Sequence, residues 1–115
     1  MRIDILSAVP DLLQGPFSES IVGRARKAGV VEVEVHDIRK WTIDKHGKID
    51  DTPFGGGAGM VMAIQPIVDA IAELKSQRDN DEIIYLTPDG ERLGQSRVNQ
   101  LSLSGNLLML CGHYK

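Results

Sequence analysis

Hydrophobic and polar residues follow two different periods along the chain, and the shorter period predicts β-strands. The four predicted strands contain Ile3, Ile5 and Leu6, residues 30–37, residues 82–87 and residues 106–111. The second stretch alternates between valine and polar side chains, as a strand with one wet face does. The last two are continuous apolar runs of strand length, a pattern typical of strands covered on both faces.

Apolar residues at helical spacing predict three helices between these strands. Ser18 is a suitable N-cap for the first, which continues until Gly29. The second has Pro66 in its first turn, where proline is tolerated. Its predicted apolar face carries Ile67, Val68, Ile71 and Leu74. A weaker helix is expected at residues 96–103.

Strands that alternate with helices predict an α/β fold with an open, mostly parallel sheet and flanking helices, in a single domain covering residues 1–115. In such sheets ligands bind beyond the carboxyl ends of the strands. Two loops with distinctive residues follow strands here, TPDG after residue 86 and GHYK after residue 111. Residues 38–59 show no period, and an aperiodic stretch of this length predicts a functional loop.

Composition limits the classes of protein to consider. The chain has 115 residues, of which 42% are hydrophobic and 25% charged, as in one globular domain. No apolar run reaches the roughly 18 residues of a membrane span, and no signal-peptide pattern follows Met1, so a cytoplasmic location is expected. The single cysteine, Cys111, lies in an apolar run and is interpreted as a buried strand residue rather than a reactive thiol.

The charge is unevenly distributed. The whole chain carries −3, but residues 21–48 carry +3 and the remainder −6. A basic region on an acidic chain is either a face for phosphates or a solvated surface, and the charge count alone does not separate the two.

The stretch DTPFGGGAGM at residues 51–60 has four glycines in five positions. It does not follow a strand and open a helix as a dinucleotide fingerprint does, and it lacks the Gly-Lys-Ser/Thr of a P-loop. Apolar residues flank the glycines, which favours an ordered functional loop over a structural close-packing loop or a linker.

Taken together, the motifs resemble one family. They are VGRA at 22–25, DDTPFGGGAGM at 50–60, IQP at 64–66, IIYLTPDG at 83–90 and LCGHY at 110–114. In this order they resemble the bacterial tRNA (guanine-N1)-methyltransferases of the TrmD type, which belong to the knotted SPOUT class. The glycine-containing motif is the most specific of the five.

The resemblance implies an S-adenosylmethionine-dependent homodimer that methylates N1 of guanosine 37 in tRNA. It implies that the cofactor is bound in a trefoil knot by Tyr85, Leu86, Thr87, Pro88, Gly90, Gly112 and Tyr114. It implies tRNA contacts at Arg24, His46, Asp50, Gly57 and Gly59. The family's catalytic base lies on a segment after the position of Lys115, so no catalytic residue is assigned here.

Two positions depart from the common family pattern. His113 stands where arginine is frequent, and Lys115 where an acidic residue is frequent, which leaves dependence on a divalent metal open. The last strand is followed by only four residues, which suggests an N-terminal portion with an incomplete knot and without the tRNA-binding C-terminal domain. Such a portion is expected to be inactive alone. The alternative to an enzyme is a non-catalytic nucleotide- or RNA-binding α/β module.

Overall fold

The computed structural model describes residues 1–43, 50–51, 61–87 and 90–111, and at 50–51 and 61–62 it describes the backbone. Six strands are present in the described part of the chain: β1 (Arg2–Ser7), β2 (Glu32–Asp37), β3 (Asp50–Asp51), β4 (Val61–Met62), β5 (Glu82–Leu86) and β6 (Asn106–Cys111). Four helices lie between them: α1 (Asp11–Ser18), α2 (Ser20–Lys27), α3 (Ile64–Gln77) and α4 (Gln95–Leu101). A 3-10 turn covers Ile38–Trp41.

The main sheet has four strands in the order β2-β1-β6-β5, and all its neighbouring pairs are parallel. The predicted parallel sheet is therefore confirmed. β1 and β6 are the central strands and carry most of the buried sheet residues, among them Ile5, Leu6, Leu107, Leu108 and Leu110. β3 and β4 form a separate antiparallel pair, with Asp50 opposite Met62 and Asp51 opposite Val61.

Each face of the sheet is covered by different helices. On one face, Leu6, Leu108 and Leu110 pack in a buried cluster with Ala70 and Leu74 of α3. The opposite face of the sheet meets α1, α2 and α4. The crossovers β1 to β2 and β5 to β6 run in one direction across the sheet, and the crossover β2 to β5 runs in the other. Placing their helices on opposite faces gives all three crossovers the same hand.

The N-terminal helical region differs from the prediction. Residues 11–18 form a helix that was not predicted from the sequence, and Gly15 and Pro16 inside it disfavour a helix. Ser18 is not an N-cap: it is the last residue of α1, and its hydroxyl donates to the carbonyl of Gln14 at 2.8 Å. Glu19 precedes α2 instead. The predicted end of α2 at Gly29 is confirmed, and this glycine has a φ of 74°.

Several other predictions need small corrections. Val68 of α3 is exposed, and the buried side of this helix carries Pro66, Ala70 and Leu74. The stretch after β2 was expected to lack regular structure, yet its first four residues form the 3-10 turn, which packs on α3 through Ile38 and Trp41. The packing against α3 supplies an order that no sequence period indicates.

Candidate functional site

The predicted ligand-binding edge of the sheet lies where β5 and β6 end. The two strands are neighbours, and their last residues are in register, with Tyr85 opposite Leu110 and Leu86 opposite Cys111. The carboxyl ends of both strands therefore meet at one edge. The strand ends that precede TPDG and GHYK are adjacent, as the sequence analysis expected.

A cavity of about 260 Å³ opens at this edge, beside the end of β5. Four of the residues predicted to bind the cofactor line it: Tyr85, Leu86, Thr87 and Gly90. The other three, Pro88, Gly112 and Tyr114, lie outside the described residues. The structure thus brings together every predicted cofactor residue that it describes, and their role stays a prediction.

The turn after β5 depends on the absence of a side chain at Gly90. The Gly90 N–H donates to the Thr87 carbonyl at 3.1 Å and closes the turn. A Cβ on this residue would lie 3.2 Å from Thr87 Cγ2 and 3.3 Å from the Thr87 carbonyl oxygen. These distances are shorter than ordinary van der Waals contact, so a side chain at position 90 requires Thr87 to shift by a few tenths of an ångström at the wall of the cavity.

The far wall of the cavity was not predicted from the sequence. It contains Glu91, Arg92, Leu93, Arg97, Leu101 and Met109. Arg97 and Leu101 are four residues apart on α4, and this spacing places them on one helical face. The four-residue spacing of Arg97 and Leu101 could have indicated a shared helical face. Because the sequence predicted α4 only weakly, this face was not assigned to the site.

The charged groups of this wall differ in how firmly they are held. Arg97 forms an ion pair with Glu82 of β5 and donates to Gln100 Oε1 at 3.2 Å. Arg92 is exposed and has no side-chain partner among the described residues. Leu86 and Met109 provide an apolar surface on the same cavity. The arrangement suits a ligand with a flat apolar part and polar edges.

A second cavity of about 420 Å³ lies between the sheet and the α1–α2 pair, and apolar side chains line it. Leu86 and Met109 line both cavities, and Cys111 lines the second. Cys111 is half-buried rather than buried as predicted. Burial raises the pKa of the Cys111 thiol, so it stays protonated at neutral pH. This favours the predicted structural role over a reactive one.

Three of the five predicted tRNA-contacting residues, His46, Gly57 and Gly59, lie outside the described part of the chain. Asp50 is described through its backbone, which pairs with Met62. Arg24 is exposed in the last turn of α2 and has no side-chain partner among the described residues. It does not line the cavity at the end of β5.

The basic region is less available than its charge suggests. Arg26 donates to the Phe17 carbonyl at 2.7 Å and holds the end of α1 against α2. Arg39 donates to the Ala8 carbonyl and lies 3.5 Å from Asp37. In the described part of this region, Arg24, Lys27 and Lys40 remain exposed without a side-chain partner. These three are the described groups that are free to meet phosphates.

Two negative findings apply to the described residues. They contain no group of three or more His, Cys, Asp or Glu side chains that could hold a metal ion. No helix within the described ranges has the length and apolar character to cross a membrane.

The chain is similar to known proteins over its whole length. The model of the family described as "tRNA (Guanine-1)-methyltransferase TrmD" matches residues 1–115. The chain belongs to this family. The tRNA (guanine-N(1)-)-methyltransferases of Flavobacterium psychrophilum and Bacteroides fragilis are 56% and 52% identical to it over 115 residues. In both cases 100% of this chain is covered and 51% of the relative.

The structural comparison leads to the same family. The crystal structure of a tRNA (m1G37) methyltransferase from Aquifex aeolicus matches with a TM-score of 0.89 at 33% identity. The match covers 100% of this chain and 52% of that one. The predicted SPOUT-class α/β fold is therefore confirmed. The chain spans about half the length of the curated relatives it matches.

Proposed function

We propose that this chain is part of an S-adenosylmethionine-dependent enzyme that methylates N1 of guanosine 37 in tRNA, next to the anticodon. One observation carries the proposal. In a chain that the family model matches from end to end, four predicted cofactor residues line one cavity where two parallel strands end. By the same resemblance the enzyme works as a cytoplasmic homodimer.

The described cavity fits part of a nucleoside ligand. Its volume of about 260 Å³ is below the roughly 300–1,000 Å³ of complete ligand pockets, and residues 112–115, which carry two predicted contacts, are not described. Leu86 and Met109 offer an apolar surface to a ring. The backbone N–H and C=O groups from Tyr85 to Thr87, at the end of β5, can bond to polar atoms at the edge of that ring. S-adenosylmethionine, when bound, supplies an activated methyl group.

The residues of the chain contribute mainly by positioning. Tyr85, Leu86, Thr87 and Gly90 would hold S-adenosylmethionine, which would supply the methyl group that N1 accepts as its proton leaves to a base. Holding the two reacting groups in line accounts for much of the acceleration in such reactions. Thr87, Gly90 and the face of α4 form walls of the cavity that suit this purpose.

The identity of the methylated nucleotide is tested with the complete gene product. We expect labelled methyl to enter a tRNA transcript with guanosine at position 37 and to stay at background with adenosine there. Digestion to nucleosides should give 1-methylguanosine as the only labelled product. Equal labelling of the two transcripts, or a product methylated at another atom, would refute the proposal. RNA binding without labelling would favour the non-catalytic module.

The cofactor site is tested with a pair of glycine variants. Gly90→Thr introduces a Cβ against Thr87 and should raise the Kd for S-adenosylmethionine at least tenfold, measured by calorimetry. Tenfold corresponds to about 1.4 kcal/mol. Gly94→Thr is the control, because a Cβ on Gly94 meets nothing within 4 Å and threonine suits this N-cap position. A Gly90→Thr protein that binds as tightly as the Gly94→Thr protein would exclude this cavity.

A further inference from the structure

The apolar cavity of about 420 Å³ lies between the sheet and the α1–α2 pair, and the proposed function makes no use of it. Its walls come from both sides, among them Ile5, Val33, Met109 and Cys111 of the sheet and Phe17 and Ala25 of the helices. Walls that face each other can enclose a ligand, which a single exposed face of a sheet cannot do. The volume is within the range of roughly 300–1,000 Å³ for small-molecule pockets.

The chemistry of the lining indicates an uncharged, apolar ligand. Every described lining side chain is a hydrocarbon or a thioether except Cys111. The raised pKa of the Cys111 thiol keeps that group neutral at neutral pH. A charged ligand would lose its hydration here and gain no partner among these side chains, which is strongly unfavourable. Cavities with such linings bind molecules like benzene.

The helix pair over the apolar cavity is tied to the strands at both ends, which resists its collapse onto the sheet. Residues 8–10 join β1 to α1, and residues 28–31 join α2 to β2. At the second junction, the Val30 N–H donates to the Ala25 carbonyl at 3.0 Å. Arg26 of α2 donates to the Phe17 carbonyl at 2.7 Å and holds the two helices together. The spacing between helices and sheet is therefore part of the fold.

The apolar cavity shares two side chains with the cavity at the end of β5, where the cofactor is proposed to bind. Leu86 of β5 and Met109 of β6 line both cavities. Because protein interiors are close-packed, a ligand that moves either side chain on one side changes the space on the other. Binding in the two cavities should therefore be coupled, and such coupling is reciprocal.

We propose that the apolar cavity binds a small, uncharged aromatic or aliphatic molecule, and that this ligand opposes binding in the cofactor cavity. Binding in the apolar cavity stands independently of the proposed function, whereas the coupling rests on it. An occupant of the apolar cavity displaces Leu86 and Met109 toward the cofactor cavity. The two ligands thus compete for the position of shared side chains and not for one site.

Binding is tested with 4-fluorotoluene, an uncharged aromatic probe, through its fluorine NMR signal and with the complete gene product. We expect saturable binding to the wild type. Ala25→Leu adds three carbons at the cavity wall and should weaken probe binding at least tenfold. Ala72→Leu is the matched control, because Ala72 is exposed on α3 and lines neither cavity. Equal probe affinity in the two variants would overturn the proposal.

A second variant changes the polarity of the wall and keeps its shape. Val33→Thr replaces one methyl group by a hydroxyl, and the unpaired hydroxyl should weaken probe binding at least threefold. Thermal unfolding verifies that each variant is folded. Wild-type affinity in Val33→Thr and Ala25→Leu would place the probe elsewhere. An absence of saturable binding to the wild type, as when another part of the complete polypeptide fills the cavity, would also overturn the proposal.

Alkylation of Cys111 gives a measurement that is independent of the NMR signal. Its thiol lines the apolar cavity, so a bound probe should shield it from N-ethylmaleimide, an uncharged thiol reagent. Mass spectrometry of the peptide that contains Cys111 follows the reaction. We expect saturating 4-fluorotoluene to slow alkylation at least threefold in the wild type and to have no effect in Ala25→Leu. Unchanged alkylation in the wild type would contradict binding in this cavity.

The coupling is measured by calorimetry with S-adenosylmethionine, with and without saturating 4-fluorotoluene. We expect the probe to raise the Kd for S-adenosylmethionine at least threefold in the wild type and in Ala72→Leu. In Ala25→Leu, which should not bind the probe, the Kd should stay within twofold. Probe binding with an unchanged or lowered Kd would refute the coupling. If the wild type does not bind S-adenosylmethionine, the proposed function and the coupling both fail, and the NMR and alkylation results decide whether the apolar cavity binds its ligand.

Discussion

Asp4→Asn should lower the free energy of unfolding by about 3 kcal/mol, the scale found when one member of a buried ion pair is removed. The Asp4 side chain is only 2% exposed. Its Oδ1 lies 2.9 Å from His36 Nε2 and accepts from Arg2 Nη2 at 3.2 Å. Asparagine keeps the size of the side chain and removes the charge that both partners face. The loss therefore comes from electrostatics, because no cavity forms and the asparagine oxygen can still accept from both partners.

The position of Asp4 in the sheet explains the size of the effect. It lies in β1, between β2 and β6, where neither face of the strand is open. Arg2 would keep its contacts with Glu32 at 2.9 Å and Glu34 at 3.8 Å, but those carboxylates are exposed. His36 would keep its ring contact with Trp41 and would face a neutral amide oxygen in place of the carboxylate. The buried part of the network has no replacement for the Asp4 carboxylate.

The matched control is Glu34→Gln, which makes the same chemical change on another carboxylate near Arg2. The Glu34 side chain is 57% exposed, and exposed ion pairs contribute about 0–1 kcal/mol. Urea denaturation of both variants, with the slope checked against wild type, gives the comparison. Losses of similar size in the two variants would contradict the assignment of Asp4 as the centre of the network.

Gly23→Ala should lower the free energy of unfolding by about 2 kcal/mol, within the range for overpacking a close contact. A Cβ on Gly23 would lie 2.5 Å from the carbonyl oxygen of Ser18 and 2.7 Å from its carbonyl carbon. Both are backbone atoms at the end of α1, so no side chain can rotate away. Ser20, which lies between Ser18 and Gly23 in the sequence, already has a φ of 56°, and such a value is uncommon outside glycine. The helices must separate to admit the methyl group.

Gly15→Ala is the matched control for this prediction. Gly15 lies within α1, and a Cβ there would meet nothing within 4 Å. Alanine gains backbone entropy relative to glycine, but the ring of Pro16 disfavours a helical conformation for a residue with a Cβ at position 15, so the net change should be less than about 1 kcal/mol. Thermal or urea unfolding should therefore show a clear loss of stability for Gly23→Ala and little change for Gly15→Ala. A Gly23→Ala protein as stable as wild type would show that the α1–α2 corner relaxes without cost.

The clash at Gly23 also gives a physical reason for one motif of the family. VGRA at residues 22–25 supported the resemblance only as a sequence motif. In the fold its glycine permits the close approach of α1 to α2, and the nearby Arg26 holds the same corner through the Phe17 carbonyl at 2.7 Å. Arg24 is left exposed beside this corner. The structural and proposed substrate roles of the motif thus fall on different residues.

Where the prediction of helices failed, packing outweighed local preference. Gly15 and Pro16 lie inside α1 and disfavour a helix, and no helix was predicted there. Leu13 and Phe17, four residues apart, nevertheless place their side chains over the apolar cavity beside the sheet. Contact with the sheet compensates for a poor helical sequence, and residue-by-residue preferences do not include that contact.

The sequence by itself determined the parallel α/β architecture, the family and the strand ends that form the candidate site, because these follow from period, order and local motifs. Only the tertiary structure decided which polar residues are buried, as Asp4 illustrates: in Ile3-Asp4-Ile5 it has the pattern of a solvent-facing position, yet β1 is covered on both faces. The structure alone also revealed the hydrogen bonds from Gln65 of α3 to Trp41 and Ile43 and the α4 wall of the cavity. Contacts between residues 15 to 32 positions apart depend on how the chain is wound, and no local pattern records them.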